Sequence, residues 1–395
     1  MDRFDALIIG GGLLGCATAF HLASIGASVL LVEQGELNSG ASGQNAGSLH
    51  FQMERRFLEN GDALADQAAA IVALNRSAIE EWRTLEALLG CDLHVSMRGG
   101  LMVAETPEEL LLLERKAALE ARYGLDARIV DGAEARALCP SLSTTVIAAS
   151  YLPEEGHADP RAVTPAFARA AAARGAILRP RTSLVGVERE AKGFTVELDS
   201  AEGREKIRAG SLLLAAGACT GNLAALVNVH LPVYPVALLM SATERTGREI
   251  AQLIQHVGHR LSMKRAHAGN ILIGGGWPSR LASAAGGGFD LSRRATVIAD
   301  SLVQNLRLAV RTVPLVRELN LIRSWTGVTA ITADQLPLAG AVPQVPGLFV
   351  AAGGSAFTLG PTLARLLAGA MGGRPDDRLA FLSPARFNHL NSFMG

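Results

Sequence analysis

Hydrophobic and polar positions change period early in this chain, within residues 4–33. Ala6-Leu7-Ile8-Ile9 is an unbroken apolar run, the pattern of a strand buried on both faces. It stops at Gly10-Gly11-Gly12-Leu13-Leu14-Gly15, after which Ala17, Ala19, Phe20, Leu22 and Ala23 set a helical pattern. Gly26 separates that helix from a second run, Val29-Leu30-Leu31-Val32, which Glu33 closes. Strand, Gly-rich turn, helix, strand and acid fit a βαβ unit of about thirty residues.

Residues 61–123 read as largely helical, interrupted at 94–104 by a strand-like piece in which Gly99-Gly100 reads as a hairpin turn or bulge. A helix start follows, with Thr106 as cap, Pro107 at the first position and Glu109 as capping-box partner. The stretch 151–160 reads as a loop feeding a helix over 162–174, which Gly175 ends. Strands are expected at 176–187, 194–198 and 207–214, the last running into Ala215-Ala216-Gly217-Ala218. A second β-rich block covers 231–276, with a hairpin turn at Ala268-Gly269-Asn270. Residues 282–288 read as a mobile surface loop and 292–310 as a helix. The chain closes with a strand at 347–352, the turn Gly353-Gly354 and a helix reaching Met371.

The first unit carries chemistry. Gly10 permits a tight turn, Gly12 lets the backbone approach a pyrophosphate, and Gly15 lets the helix pack close to the strand. The helix start offers N–H groups and partial positive charge to phosphates. Glu33 would accept hydrogen bonds from an adenosine ribose, and an acid there disfavours a 2′-phosphate. Beyond it lies the small, polar passage Asn38 to Ser48, by composition a flexible loop. Just past the second strand of a nucleotide fold, it can instead wrap a cofactor.

Composition narrows the class. With 395 residues the chain can hold two domains, and 49% hydrophobic content with 42 glycines suits a compact α/β enzyme. Its formal net charge of zero gives no reason to expect nucleic acid or an anionic membrane as partner. No apolar run approaches bilayer-spanning length. Cys16, Cys91, Cys139 and Cys219 lack CxxC spacing, so no metal site is expected and the thiols read as buried ones in a reducing compartment. Leu13-Leu14-Gly15-Cys16 mimics a lipoprotein cleavage box. The acids Asp2 and Asp5 and the interrupting glycines reject it, and a cytoplasmic location is expected.

Gly12 to Gly15, Glu33 and Gly40-Ala41-Ser42-Gly43-Gln44-Asn45-Ala46-Gly47 resemble the signature of the D-amino-acid oxidase superfamily, which includes glycine oxidase and sarcosine oxidase. That resemblance implies FAD rather than NAD. It implies an α/β fold, a Rossmann-like FAD-binding domain (1–90, 142–222 and 323–395) with a second α+β substrate domain (91–141 and 223–322) on a mainly antiparallel sheet. The cofactor would meet Gly10, Gly12, Leu13, Leu14, Gly15, Glu33, Gln34, Ser42, Gly43, Asn45, Ala46 and Gly47. Val185 would lie near the adenine, and Ala216 and Gly217 would end a returning strand. Gly353, Gly354, Phe357, Thr358 and Leu359 would place a helix start against the flavin, stabilising negative charge on the reduced ring.

Finer stretches narrow the branch: Asn45-Ala46-Gly47-Ser48-Leu49-His50, Gly99 to Glu105, Gly269 to Trp277 and Thr358-Leu359-Gly360-Pro361. They resemble the β subunits of opine oxidases and D-hydroxyproline dehydrogenases. Those subunits oxidise a secondary amine on FAD beside an α subunit, with FMN at a subunit interface and a small iron–sulfur subunit in some relatives. The resemblance then implies hydride transfer from the carbon next to a neutral amine to the flavin, followed by hydrolysis of the imine. Glycine oxidase-like enzymes carry arginines after the Trp-x-Gly motif and in the last Gly-rich turn. Here Val328-Thr329 and Ser355-Ala356-Phe357 stand instead. A simple glycine or D-amino-acid oxidase acting alone is thereby disfavoured, and an FAD-dependent 2-hydroxy acid dehydrogenase is a further alternative. Cations for a substrate carboxylate are Arg98, Lys264, Arg265 and Arg323; His50 and Lys264 are the candidate catalytic side chains. His267 reads as a turn residue, Trp277 and Trp325 as packing residues.

Overall fold

The computed structural model describes residues 2–59, 65–66, 68–248 and 250–390. Its chain opens with β1 (Arg3–Ile9), α1 (Leu13–Ser24) and β2 (Val29–Val32), then α2 (Ala41–Gln44), β3 (Ser48–Leu49) and α3 (Arg55–Leu58). Next come α4 (Ile71–Leu89), β4 (Gly100–Ala104), α5 (Pro107–Arg122), β5 (Arg128–Asp131), α6 (Gly132–Leu138), β6 (Ala148–Leu152) and β7 (Gly156–His157). The middle holds α7 (Pro160–Ala172), β8 (Ile177–Arg179), β9 (Ser183–Glu190), β10 (Gly193–Ser200), β11 (Gly203–Leu214) and α8 (Thr220–Ala225). The remainder is β12 (Val233–Arg245), β13 (Leu253–His256), β14 (Ser262–Arg265), β15 (Asn270–Gly274), α9 (Ala299–Thr312), β16 (Leu321–Thr332), β17 (Leu338–Ala341), β18 (Leu348–Ala352) and α10 (Gly360–Met371).

Two sheets carry the molecule. The first runs β17-β18-β11-β1-β2-β8, parallel from β18 to β8, with β9 and β10 continuing antiparallel from the outer half of β11. Its central strands are buried on both faces, which explains the unbroken apolar runs at β1 and β2. Helices α1, α4, α7 and α10 cover one face through a core that includes Phe20, Trp82, Phe167 and Leu363. The second sheet runs β16-β12-β15-β14-β13-β4-β6-β5 and is antiparallel except where β13 meets β4. One face of it packs Met263, Ile271, Ile273, Ile254 and Leu101 against α6 and α9. Strand alternation sends Ser262, Lys264, Leu272, Gln255, Met102 and Ser150 to the opposite face, where α5 covers the Met102 and Ser150 end and His50 meets Ser262.

Three expectations change. Gly99-Gly100 is no hairpin turn: β4 starts at Gly100 and lies between β13 and β6, with the preceding residues running in as open chain. The helix expected over 292–310 begins at Ala299, because the preceding residues fold back and Arg280 bridges Thr296. Two domain boundaries also move. The 142 boundary fails because β6 pairs with β4, and the 323 boundary fails because β16 pairs along the length of β12. Both strands therefore belong to the second sheet. The start of the helical stretch expected from 61 lies outside the described residues.

Candidate active site

The turn between β1 and α1 is built on close backbone approach. Gly10 takes φ +119° and a Cβ on Gly15 would run into the Gly10 carbonyl oxygen, so neither position accepts a side chain. A Cβ on Gly12 would come within 2.9 Å of Ser42 Oγ. That bare backbone preserves room for a pyrophosphate, and the residues fit the group.

The polar loop is tied to this turn. The Leu13 N–H donates to Ser42 Oγ at 2.9 Å, so a residue from α2 caps a helix that lacks a cap of its own. Asn45 is spent within the loop: it donates to the Ser42 carbonyl at 2.7 Å and accepts the Gly47 N–H at 2.7 Å. Its side chain shapes the cradle rather than facing outward. Glu33 accepts the Gly11 N–H on one oxygen and the Gly35 N–H on the other, both at 2.8 Å. Each oxygen keeps a second lone pair for a ribose hydroxyl. Thr182 N–H donates to the Glu33 carbonyl, which ties the start of β9, the strand that carries the exposed Val185, to the end of β2. Gln34 is exposed one residue on, and Ala215 and Ala216 come up against Gly10, with Gly217 next along the chain.

The C-terminal turn arrives from the other side. The His50 N–H donates to Thr358 Oγ1 at 3.2 Å, and Trp82 Nε1 donates to the Thr358 carbonyl at 2.7 Å. Phe357 packs on Trp82 with ring centroids 5.3 Å apart, and Leu359 is buried before α10. Gly353 and Gly354 lead in, and a Cβ on Gly354 would sit 2.9 Å from the Arg56 guanidinium.

Arg56 is not among the cations expected from the sequence, Arg98, Lys264, Arg265 and Arg323. From α3 it donates to the Gln335 carbonyl at 2.5 Å and to Ser355 Oγ at 2.7 Å, and it pairs with Glu54 at 3.2 Å. Burial opposes ionisation of Glu54, but Arg56, His50 and the hydrogen bonds from Arg56 and Ser355 outweigh it and hold the carboxyl down to about 2. Nothing local in Met53-Glu54-Arg55-Arg56 announces a guanidinium aimed at a turn 299 residues away.

His50 itself lies with Nε2 3.3 Å from Ser262 Oγ, where the loop after β3 meets β14. Its Nδ1 is buried without a hydrogen-bond partner among the described residues. Burial drops the imidazole to about 4 despite the pull of Glu54, so the ring is neutral at ordinary pH. Two residues beyond Ser262, Lys264 is 2% exposed, and among the described residues its amine makes no hydrogen bond or ion pair. Burial holds that amine well below the usual lysine range, with Asp159 pulling the other way.

Arg98 and Arg265 do not join His50 and Lys264. They line an open cavity of about 260 Å³ with Ser96, His94, His157 and His267. Arg265 also donates twice to the Thr246 carbonyl, bracing β12. His267 stacks on His94 at 3.8 Å, a firmer placement than a solvated turn residue would have. Arg323 lies farther off, over the ring of Trp325 at 5.7 Å. Trp325 does more than pack: its Nε1 donates to the Gln44 carbonyl at 2.8 Å and ties β16 to the cofactor loop.

Among the described residues, two side-chain groups bring three metal-type donors within 4.8 Å of one another: His94, Asp159 and His267, and Glu105, His256 and His259. In the second, Arg311 pairs with Glu105 and the Gly258 N–H donates to His256 Nδ1 at 3.1 Å, so these groups staple the corner of β4 and β13.

A Gly-rich nucleotide cradle on a parallel sheet, roofed by a mainly antiparallel second sheet, defines a two-domain dinucleotide-dependent oxidoreductase. The chain belongs to the FAD-dependent oxidoreductase family, whose model matches residues 5–370. It is 30% identical to glycine oxidase of Geobacillus kaustophilus, over 89% of this chain and 88% of that protein. One opine oxidase subunit of Rhizobium meliloti is 26% identical over 98% of this chain and 99% of its own. Mouse sarcosine dehydrogenase is 26% identical over 98% of this chain, which spans 41% of that longer protein. The crystal structure of the Geobacillus kaustophilus glycine oxidase superposes with a TM-score of 0.85 over 98% of this chain and 99% of that one, at 26% identity. No helix among the described residues is long and apolar enough to cross a membrane.

Proposed function

We propose that this chain oxidises the C–N bond of a secondary amine or N-substituted amino acid, of the opine or D-hydroxyproline type, as the FAD-bearing subunit of a heteromeric dehydrogenase. The observation that carries the substrate class is Lys264, a buried amine without an acceptor among the described residues, on the face that roofs the cofactor cleft. Burial makes its charged form costly until an anion arrives, so a substrate carboxylate is the partner that favours the ammonium. Arg56 is committed to Glu54, Gln335 and Ser355, which leaves Lys264 the better candidate.

His50 presents Nε2 beside Ser262 as a neutral hydrogen-bonding edge. That edge orients the substrate nitrogen. A ring titrating near 4 does not serve as a base at neutral pH. Bound FAD supplies the two-electron acceptor. The protein contributes orientation, exclusion of water by the second sheet and a cation for the carboxylate.

The full length of the opine oxidase match supports a partner-dependent role. The basic, imidazole-rich cavity around Arg98, Arg265 and His157 supports FMN at an interface with an α subunit, its phosphate meeting the guanidinium groups. A small iron–sulfur subunit and a cytoplasmic location complete this reading. The glycine oxidase match favours a second one, a glycine or D-amino-acid oxidase acting alone.

Anaerobic mixing of the FAD-loaded chain with octopine, nopaline, trans-4-hydroxy-D-proline, glycine and D-lactate tests these readings. Bleaching of the flavin by the first three and not by glycine supports the proposal. Bleaching by glycine with rapid oxygen uptake supports the lone oxidase, and bleaching by D-lactate alone overturns the amine chemistry.

A further inference from the structure

The segment His50–Met53 leaves the cofactor loop where that loop meets the second sheet, and a buried carboxylate receives it. Glu155 Oε1 accepts two consecutive backbone N–H groups, from Phe51 and Gln52, both at 2.9 Å. Its Oε2 accepts Gln52 Nε2 at 2.9 Å and lies 3.5 Å from Gln255 Nε2 on β13. The next residue is held in the same way, because the Met53 N–H donates to Glu120 Oε1 at 2.6 Å. Lys116 completes the network, donating to Gln52 Oε1 at 2.8 Å and Glu120 Oε2 at 2.9 Å, with both charged side chains fully buried. A Cβ on Gly100 would run into Glu155 Oε2, so β4 is shaped around this carboxylate.

A carboxylate that accepts two adjacent amides fixes backbone direction as well as position. The residue before those amides is His50, whose ring must meet Ser262 on another element. We propose that Glu155 is a positioning residue for His50: its ionised carboxylate seats the Phe51 and Gln52 amides and thereby sets where the imidazole stands in the substrate site. This rests on the role given to His50 above.

Protonation of Glu155 would turn one acceptor oxygen into a donor and loosen the seat. Burial lifts its carboxyl to about 7, against the hydrogen bonds from Gln52 and the charge of Lys116. The charged groups acting on it are Lys116 and Glu120, both from α5; Gln52 and Gln255 face it from the loop and β13. The seat therefore tightens as pH rises through neutrality.

The test uses the FAD-loaded chain in anaerobic stopped flow, with octopine or whichever amine of the panel above bleaches the flavin. Glu155→Gln is expected to slow flavin reduction by a factor on the order of ten to a hundred while FAD stays bound. The wild-type inflection near pH 7 should vanish with it. In a His50→Ala background Glu155→Gln should cost little more, since the two act in series. In the FAD-free chain, hydrogen exchange at the Phe51 and Gln52 amides should accelerate.

The proposal is overturned if Glu155→Gln reduces flavin at the wild-type rate, if it slows the His50→Ala variant as much as the wild type, or if amide exchange is unchanged. A His50→Ala variant that reduces flavin normally removes the role of His50 instead, a separate result. Should Glu155→Gln fail to fold, a wild-type rate that is flat between about pH 6 and pH 8 overturns the proposal. Recovery in Gln52→Glu/Glu155→Gln, which exchanges donor and acceptor, supports it.

Discussion

The backbone N–H of His50 and the side-chain hydroxyl of Thr358 meet at 3.2 Å across 308 residues of sequence. The cofactor loop and the last Gly-rich turn are thus one surface. The Thr358 hydroxyl also lies 3.4 Å from the Ser48 carbonyl, so it joins two positions on the first segment.

Trp82 holds the other side of that junction. Trp82→Phe keeps the ring against Phe357 and deletes the donor to the buried Thr358 carbonyl. The expected loss is about 1–3 kcal/mol of stability, the cost of an orphaned acceptor. Denaturant titration measures it, and weaker flavin retention in a desalting assay should accompany it.

Gly15→Val puts branched carbon into the Gly10 carbonyl. The helix must withdraw from the strand, with an expected penalty of about 1–3 kcal/mol and loss of FAD binding. The ratio of flavin to protein absorbance reports the second effect, and a retained yellow holoprotein would contradict the geometry.

Lys264→Met replaces a buried amine by an apolar chain of similar length. Because the amine has no acceptor among the described residues, thermal stability is expected to hold or rise. Affinity for a carboxylate-bearing amine is expected to fall by about tenfold or more, the worth of a charge-assisted contact. Stopped-flow reduction against substrate concentration separates binding from the reduction step, and an unchanged dissociation constant would assign the carboxylate to another cation.

Stability should follow pH in opposite directions at two carboxylates. Glu54 is depressed to about 2, so its contribution is present above the ordinary glutamate range and is lost as pH falls through about 2. Glu155 is raised to about 7, so its neutral form favours the fold at low pH and that advantage is lost as pH rises through about 7. Denaturation midpoints of wild type and Glu155→Gln at about pH 5 and pH 8 check the second sign: the variant should gain relative to the wild type at the higher pH.

Local pattern carried the first sheet well. The runs at Ala6–Ile9 and Val29–Val32 are apolar because their strands are covered on both sides, and the capping pattern at Thr106 marks α5 at its true start. Strand partners were harder to read. A 12-residue β16 looked like cofactor chain because its pairing with β12 is not written in its own residues. Buried charges were not legible. Lys116 and Glu120 stand at helical spacing with nothing in the sequence to mark them as fully buried, and Glu155 is buried although 151–160 reads as a loop. Burial of an ionised group depends on partners far along the chain, and a single sequence does not display them.

The strand pairing has an evolutionary corollary. Three stretches build the parallel sheet and two build the roof, so the polypeptide shuttles between them four times. Neither half is a cassette. A chimera that borrows a relative's roof needs four splice junctions, and the Ser262–His50 and Trp325–Gln44 hydrogen bonds each bridge pieces that would then come from different parents. New substrate preferences in such an architecture are reached more readily by exchanging side chains on the roof's inner face than by shuffling modules.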